Sequence, residues 1–205
     1  MSADQPPADR VRILTVCTGN ICRSPYAQVV LGAGLEWARP GAFEVTSAGT
    51  HALVDHGVDA GSAALLDAKG LPHDTFRARR LTPALLAQQD LVLVMAGHHK
   101  EYVVDEAPSV HRRTLTLREL AGALDDIEEK DDWPWLLSQA GADDVVSRWR
   151  ALPGLIAAHR SRGRRRGERD VADPYQRGEK AFARMAGEID PAVRTIVSWE
   201  RRLGR

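Results

Sequence analysis

With 205 residues, 43% of them hydrophobic and 27% charged, the chain has enough apolar side chain for one good-sized core, which excludes a fibre or a disordered segment. Lys and Arg number 28 and Asp and Glu 28, a formal net charge of zero, so neither nucleic acid nor an anionic membrane is an expected partner and any anion site must be local. No apolar run, LVLVMA at 91–96 included, is long enough to cross a bilayer. A cytoplasmic location is therefore expected.

The opening stretch, MSADQPPADR, lacks the cationic start and apolar core of a secretory signal and is expected to be a loose leader over 1–10. Val11 to Val16 is β-branched and apolar enough for a buried strand, and the turn after it holds both cysteines of the chain, Cys17 and Cys22. Ser24 is a good N-cap and Pro25 suits a first helical turn, so a helix is predicted from there to about Arg39, stopped by Pro40-Gly41. FEVTSAG at 43–49 reads as a short strand entering a loop. A helix is expected over 58–69, closed by Gly70 and Pro72, and another opened by Thr82-Pro83. DLVLVMA at 90–96 carries the strongest buried-strand signal. Residues 98–106 read as helix, RRTLTL at 112–117 as a fourth strand, and 178–202 as a helix whose apolar stripe runs through Phe182, Met185, Ile189, Val193, Ile196 and Val197.

Alternating strands and helices in this order predict an α/β fold: an open, doubly wound, four-stranded parallel sheet with helices on both faces. Sites in such sheets lie at the carboxyl ends of strands, and the turn at Cys17 is one of them. Residues 124–170 break the rhythm. An acidic run at 125–132, tryptophan-bearing helical fragments and a basic run at 160–169 are expected to form a partly helical insertion with a charged tip, within one domain over 11–205. The basic run could also recruit an acidic partner.

Two cysteines cannot build a disulfide framework, and without a second ligand pair they make no zinc site. Five residues separate Cys17 from Arg23. In a loop entering a helix N-terminus, consecutive amides and the helix dipole can form an anion site, and the planar fork of Arg23 can hold two oxygens of a tetrahedral oxyanion. Such a pocket favours the thiolate of Cys17, a nucleophile, to which Ser24 can donate a hydrogen bond. Gly19 allows a tight turn and Asn20 tolerates a left-handed conformation. The same spacing taken alone also fits two small buried thiols with Arg23 on the surface.

The string VCTGNICRSP resembles the signature loop of the low-molecular-weight protein tyrosine phosphatase family. TSAGT at 46–50, DLVLVM at 90–95 and DVADPY at 170–175 resemble its second-strand, central-strand and general-acid motifs, in the expected order. This resemblance implies that Cys17 attacks phosphorus to form a cysteinyl-phosphate, that Arg23 holds the equatorial oxygens, and that Asp173 protonates the leaving oxygen and then activates water. It implies that Thr18, Gly19, Asn20, Ile21, Cys22 and Ser24 form the phosphate-binding loop, that Tyr175 and Leu53 border the entrance, and that Asn20, Ser24 and Ser47 hold the loop in shape. No metal and no cofactor is implied. In the family the second loop cysteine can capture the oxidised nucleophile as a reversible disulfide, and Cys22 either does so or packs behind the loop.

The sequence departs from the family after the central strand, where MAGHHK puts Ala96 and His99 near the places of an aspartate and an asparagine. Leu53 stands in for an entrance tryptophan and Phe76 for a loop-supporting histidine. The chain's own histidines show no metal-ligand pattern and are expected mostly on the surface. Members are commonly shorter, so the insertion, a possible lid, is where substrate choice is expected to differ most. The expected function is hydrolysis of phosphotyrosine in a phosphorylated protein or of a small phosphate ester. Phosphoarginine is disfavoured by Ile21, where such enzymes tend to carry threonine. Arsenate reduction would need further cysteines after Cys22, and a non-catalytic phosphate-binding module is the reading from another class.

Overall fold

The structure, a computed structural model, describes residues 10–128, 132–159 and 169–203. Its centre is one sheet of four strands, β1 (Val11–Cys17), β2 (Phe43–Gly49), β3 (Leu91–Val94) and β4 (Thr114–Thr116), in the order β2-β1-β3-β4. All pairings are parallel, with Cys17 level with Gly49 and Val16 with Val94. The helices are α1 (Arg23–Ala38), α2 (Ala60–Asp67), α3 (Pro83–Ala87), α4 (Gly97–Glu106), α5 (Leu117–Glu128), α6 (Trp133–Gln139), α7 (Val145–His159) and α8 (Glu179–Leu203). This is the α/β architecture expected, with β1 at the point where neighbouring connections leave in opposite directions and open a crevice at its carboxyl end.

Strand side chains alternate between two apolar layers. Ile13, Leu91 and Leu93 join Leu31, Leu120, Met185 and Ile189 on one face, covered by α1, α5 and α8. On the other face Leu14, Val16, Val92 and Val94 meet Leu86 of α3 and Val103 of α4. Burial on both faces explains why LVLVMA reads as a continuous apolar run. The α8 stripe points inward as its periodicity predicts, and α8 lies close on α1: a Cβ at Gly34 would stand 2.7 Å from Val197 Cγ2.

Several boundaries differ from the sequence expectation by a residue or more, and two of the shifts have a visible cause. Helix α1 starts at Arg23, and Ser24 caps nothing, because its hydroxyl is committed to Cys17 and Asn20 instead. The fourth strand is only Thr114–Thr116, since Pro108 opens a 3-10 turn that runs through Arg112 and Arg113.

In the described part of 124–170, α6 and α7 bury Trp133 and Trp149 against Trp199 of α8, with edge-on ring contacts at 5.3 and 5.6 Å. Phe43 adds a third such contact to Trp149, at 5.1 Å. Underneath lies Glu200, wholly buried, whose carboxylate accepts from Arg148, Arg39 and Trp149 Nε1. The described insertion residues thus pack on the core, and none of them lines the cavity around Cys17. The leader over 1–9 and the charged tip over 160–168 lie outside the described residues. Among the described residues no helix is long and apolar enough to cross a membrane.

Candidate active site

The loop after β1 is held by polar contacts that begin at Asn20. Its φ of 53° lies in the left-handed region that asparagine tolerates. That backbone turn carries the side chain inward, where it is fully buried. Nδ2 donates to Ser24 Oγ at 2.9 Å and to Ser47 Oγ at 2.8 Å, while Oδ1 accepts from the Arg79 amide at 2.9 Å. Ser47 Oγ in turn donates to Gln28 Oε1 at 2.6 Å. The second strand approaches so closely that a Cβ at Gly49 would stand 2.5 Å from the carbonyl oxygen of Thr18, so the GT of TSAGT needs its glycine for space. Asn20, Ser24 and Ser47 therefore meet as the sequence suggested. Gln28 and Arg79, which complete the network, carry no local signal and were missed.

Cys17 Sγ lies 3.0 Å from Ser24 Oγ. The two groups are thus within hydrogen-bond reach, the serine oxygen also accepting from Asn20, and a sulfur without its proton could accept only from the hydroxyl. Arg23 is buried beneath the loop, and Nη2 reaches Asp173 Oδ2 at 2.8 Å across 150 positions of sequence. Its Nε is buried and has no hydrogen-bond partner among the described residues. A buried guanidinium N–H left without an acceptor is costly and marks a place for an anion. Around these groups lies a cavity of about 200 Å³. Cys17, Thr18, Gly19, Ile21, Cys22 and Arg23 line its depth, Asp173 one side, and the exposed Leu53, Tyr175 and His51 its mouth. Every substrate-contacting residue expected from sequence is here except Asn20 and Ser24, which stand behind the loop, and His51 is an addition.

The two thiols are unequal. Burial, then the neighbouring carboxylate of Asp59, pushes the Cys22 thiol far up, so it stays protonated. Both cysteines are free. Of the other departures noted in the sequence, Phe76 packs against the core, and His73 pairs with Asp67 at 3.0 Å instead of reaching the loop.

His99 corrects the expectation of surface histidines. It is 1% exposed, and Nε2 meets Thr18 Oγ1 at 2.9 Å, bracing the residue next to the nucleophile. Burial first, then the charges of His98 and Arg23, lowers its pKa from 6.5 to about 3. The ring is therefore neutral across the working range. Its resonances should remain those of neutral imidazole from pH 8 to about 4 in an NMR titration. Between about 6.5 and about 3 only the unfolded chain takes up this proton, so stability should fall as pH drops through that window and be fully restored above it.

With this geometry in view, the comparisons are specific. Residues 12–147 match the family model described as low molecular weight phosphotyrosine protein phosphatase, and the chain belongs to that family. It is 28% identical over 193 residues to the low molecular weight protein-tyrosine-phosphatase Etp of Escherichia coli K12, covering 94% of this chain and 95% of that protein. Among solved structures it is similar to Wzb of Vibrio vulnificus in complex with benzylphosphonate, with a TM-score of 0.62 at 25% identity over 92% of this chain and 98% of the other. Wzb of Escherichia coli K30 in complex with sulphate gives a TM-score of 0.61 at 25% identity over 94% and 98%. The family match ends before 170–175, and it is the contact of Asp173 with Arg23 that joins this segment to the loop.

Proposed function

We propose that this phosphatase hydrolyses phosphotyrosine or another aryl phosphate, in a protein or a small molecule, through a cysteinyl-phosphate on Cys17. The observation that carries the reading is the convergence of a thiol held by a serine hydroxyl, a buried guanidinium with a free donor, and a carboxyl group on one cavity with an aromatic mouth. The loop amides and Arg23 hold three phosphate oxygens while Sγ attacks phosphorus in line with the ester oxygen. The S–P bond forms as the P–O bond breaks, and the proton of Asp173 goes to the departing phenolic oxygen. Asp173, now a carboxylate, takes a proton from water as that water attacks phosphorus. The S–P bond then breaks, with Ser24 stabilising the returning thiolate and inorganic phosphate leaving.

Ile21, Leu53 and Tyr175 give the cavity apolar and aromatic walls suited to a flat phenyl ester. That a similar protein was solved with a benzyl-bearing phosphonate supports the same choice. A reducing, cytoplasmic setting suits a mechanism that needs Cys17 as a free thiol. Both cysteines stand in this one loop, which leaves no distant thiol to carry electrons for arsenate reduction.

The direct test is hydrolysis of an aryl phosphate by the native chain and by Cys17→Ser. Native turnover with a loss of at least about 10³-fold in the variant is expected, because removing a nucleophile removes the whole covalent route. The variant should still bind inorganic phosphate. Comparable activity in both proteins would defeat the mechanism, and phosphate binding without native turnover would favour the non-catalytic module. A panel of phosphorylated tyrosine, serine and arginine would rank substrates.

A further inference from the structure

Helix α4 begins without a capping side chain of its own, because its N-cap is Ala96. The first amide is nevertheless satisfied: Gly97 N–H donates to Asp170 Oδ1 at 2.9 Å, from 73 residues away. A carboxylate is the group a helix N-terminus favours, by hydrogen bond and by the helix dipole. Asp170 is held at a second point, its carbonyl accepting from Arg118 Nη1 at 2.8 Å. The next amide, Val171 N–H, donates to Met95 O at 2.8 Å, and Ala172 N–H to Glu188 Oε2 at 2.7 Å. These contacts lie immediately before Asp173.

We propose that Asp170 is a positioning residue for proton delivery: by capping α4 from outside the helix, it fixes the 170–175 loop so that the carboxyl group of Asp173 meets the leaving oxygen. The capping oxygen that Ala96 cannot supply comes from the acid loop itself, and one group serves both helix and loop. Loss of the cap would free the loop's β3-facing side, leaving Asp173 to find the ester oxygen from a wider set of positions.

This inference rests on the reading of Asp173 as general acid, and the chemistry of that step supplies its test. An ester of a strongly acidic phenol departs as the anion and needs no proton, whereas phenyl phosphate needs one as its P–O bond breaks. In Asp170→Ala, kcat/KM for phenyl phosphate should fall about tenfold, while that for 2,4-dinitrophenyl phosphate changes less than about twofold. Asp170→Asn keeps the acceptor oxygen and should recover most of the phenyl phosphate rate. Adding Ala96→Asp to Asp170→Ala restores a cap within the helix without tethering the loop, so thermal stability should return and the leaving-group dependence should not. Amide hydrogen exchange over 170–175 reads the same tether without turnover: protection should be lost in Asp170→Ala and kept in Asp170→Asn. Equal losses on both esters, no loss on either, or unchanged exchange in Asp170→Ala would overturn the proposal. Native protein that hydrolyses neither ester would instead defeat the phosphatase reading, with the exchange experiment still deciding whether Asp170 holds the loop.

Discussion

Asp173→Asn is expected to lower kcat for phenyl phosphate by about 10²- to 10³-fold while tightening the binding of inorganic phosphate. The first effect is the loss of the proton donor. The second follows from the pair in which Asp173 sits, with Oδ2 2.8 Å from Arg23 Nη2. The guanidinium that should hold the phosphate already holds a carboxylate, which a phosphate dianion has to displace and which then faces it as a like charge. An asparagine accepts a weaker hydrogen bond and carries no charge, so Arg23 is released at lower cost and the repulsion disappears. Phosphate inhibition constants should therefore fall about three- to tenfold in the variant, measured as competitive inhibition of the residual activity or by calorimetry. Weaker phosphate binding in Asp173→Asn would show that the pair assembles the site instead of competing for it. Because Asp173 is 43% exposed at its side chain, the pair can open without unpacking the core.

The parts of this site that were legible in the sequence are those whose chemistry is local. Cys17, Asn20, Arg23 and Ser24 fall within one turn between a buried strand and a helix, so their residue types and spacing can be read together, although Ser47 and Arg79 help to hold the loop. Asp173 was legible only through the DPY motif, since nothing near it in sequence announces that it meets Arg23. Long-range supports gave no such signal. Gln28 is a half-buried polar residue between Ala27 and Val29 of α1, and Arg79 sits in a connection without helix or strand, yet both complete the network around Asn20 and Ser47. The first departure from the family, Ala96, pointed at a missing carboxylate; the distance to Asp170 closed only when the fold brought the end of β3 beside 170–171. The burial of His99 was hidden for a related reason, because reading 98–106 as helix does not tell that the first turn of α4 faces the loop after β1. Strand identities survived and boundaries shifted where a side chain found a better partner, as at Ser24, or where a proline tightened the approach, as at Pro108.

Glu200→Ala is expected to destabilise the fold by about 3–5 kcal/mol, the cost of leaving a buried cation without its counter-charge. Glu200 is completely buried, and it accepts from Arg148 Nη2 at 2.8 Å, Trp149 Nε1 at 2.8 Å and Arg39 Nε at 3.1 Å. One carboxylate thus joins α7 to α8 and to the residue that ends α1. Removing it strands Arg148, whose side chain is 8% exposed, together with an indole N–H. A thermal melt should show a fall of roughly ten degrees or more. Pairing Glu200→Leu with Arg148→Leu separates charge from packing: the double variant should be destabilised by less than the two single variants added together if the unpaired ion carries the cost, since Arg148→Leu alone leaves Glu200 with Arg39 and Trp149. Hydrolysis of an aryl phosphate by the folded fraction should remain near the native rate, since none of these groups lines the cavity around Cys17. A double variant as unstable as the sum of the two singles would mean that the insertion is held by its tryptophans, and that the buried carboxylate only accompanies them.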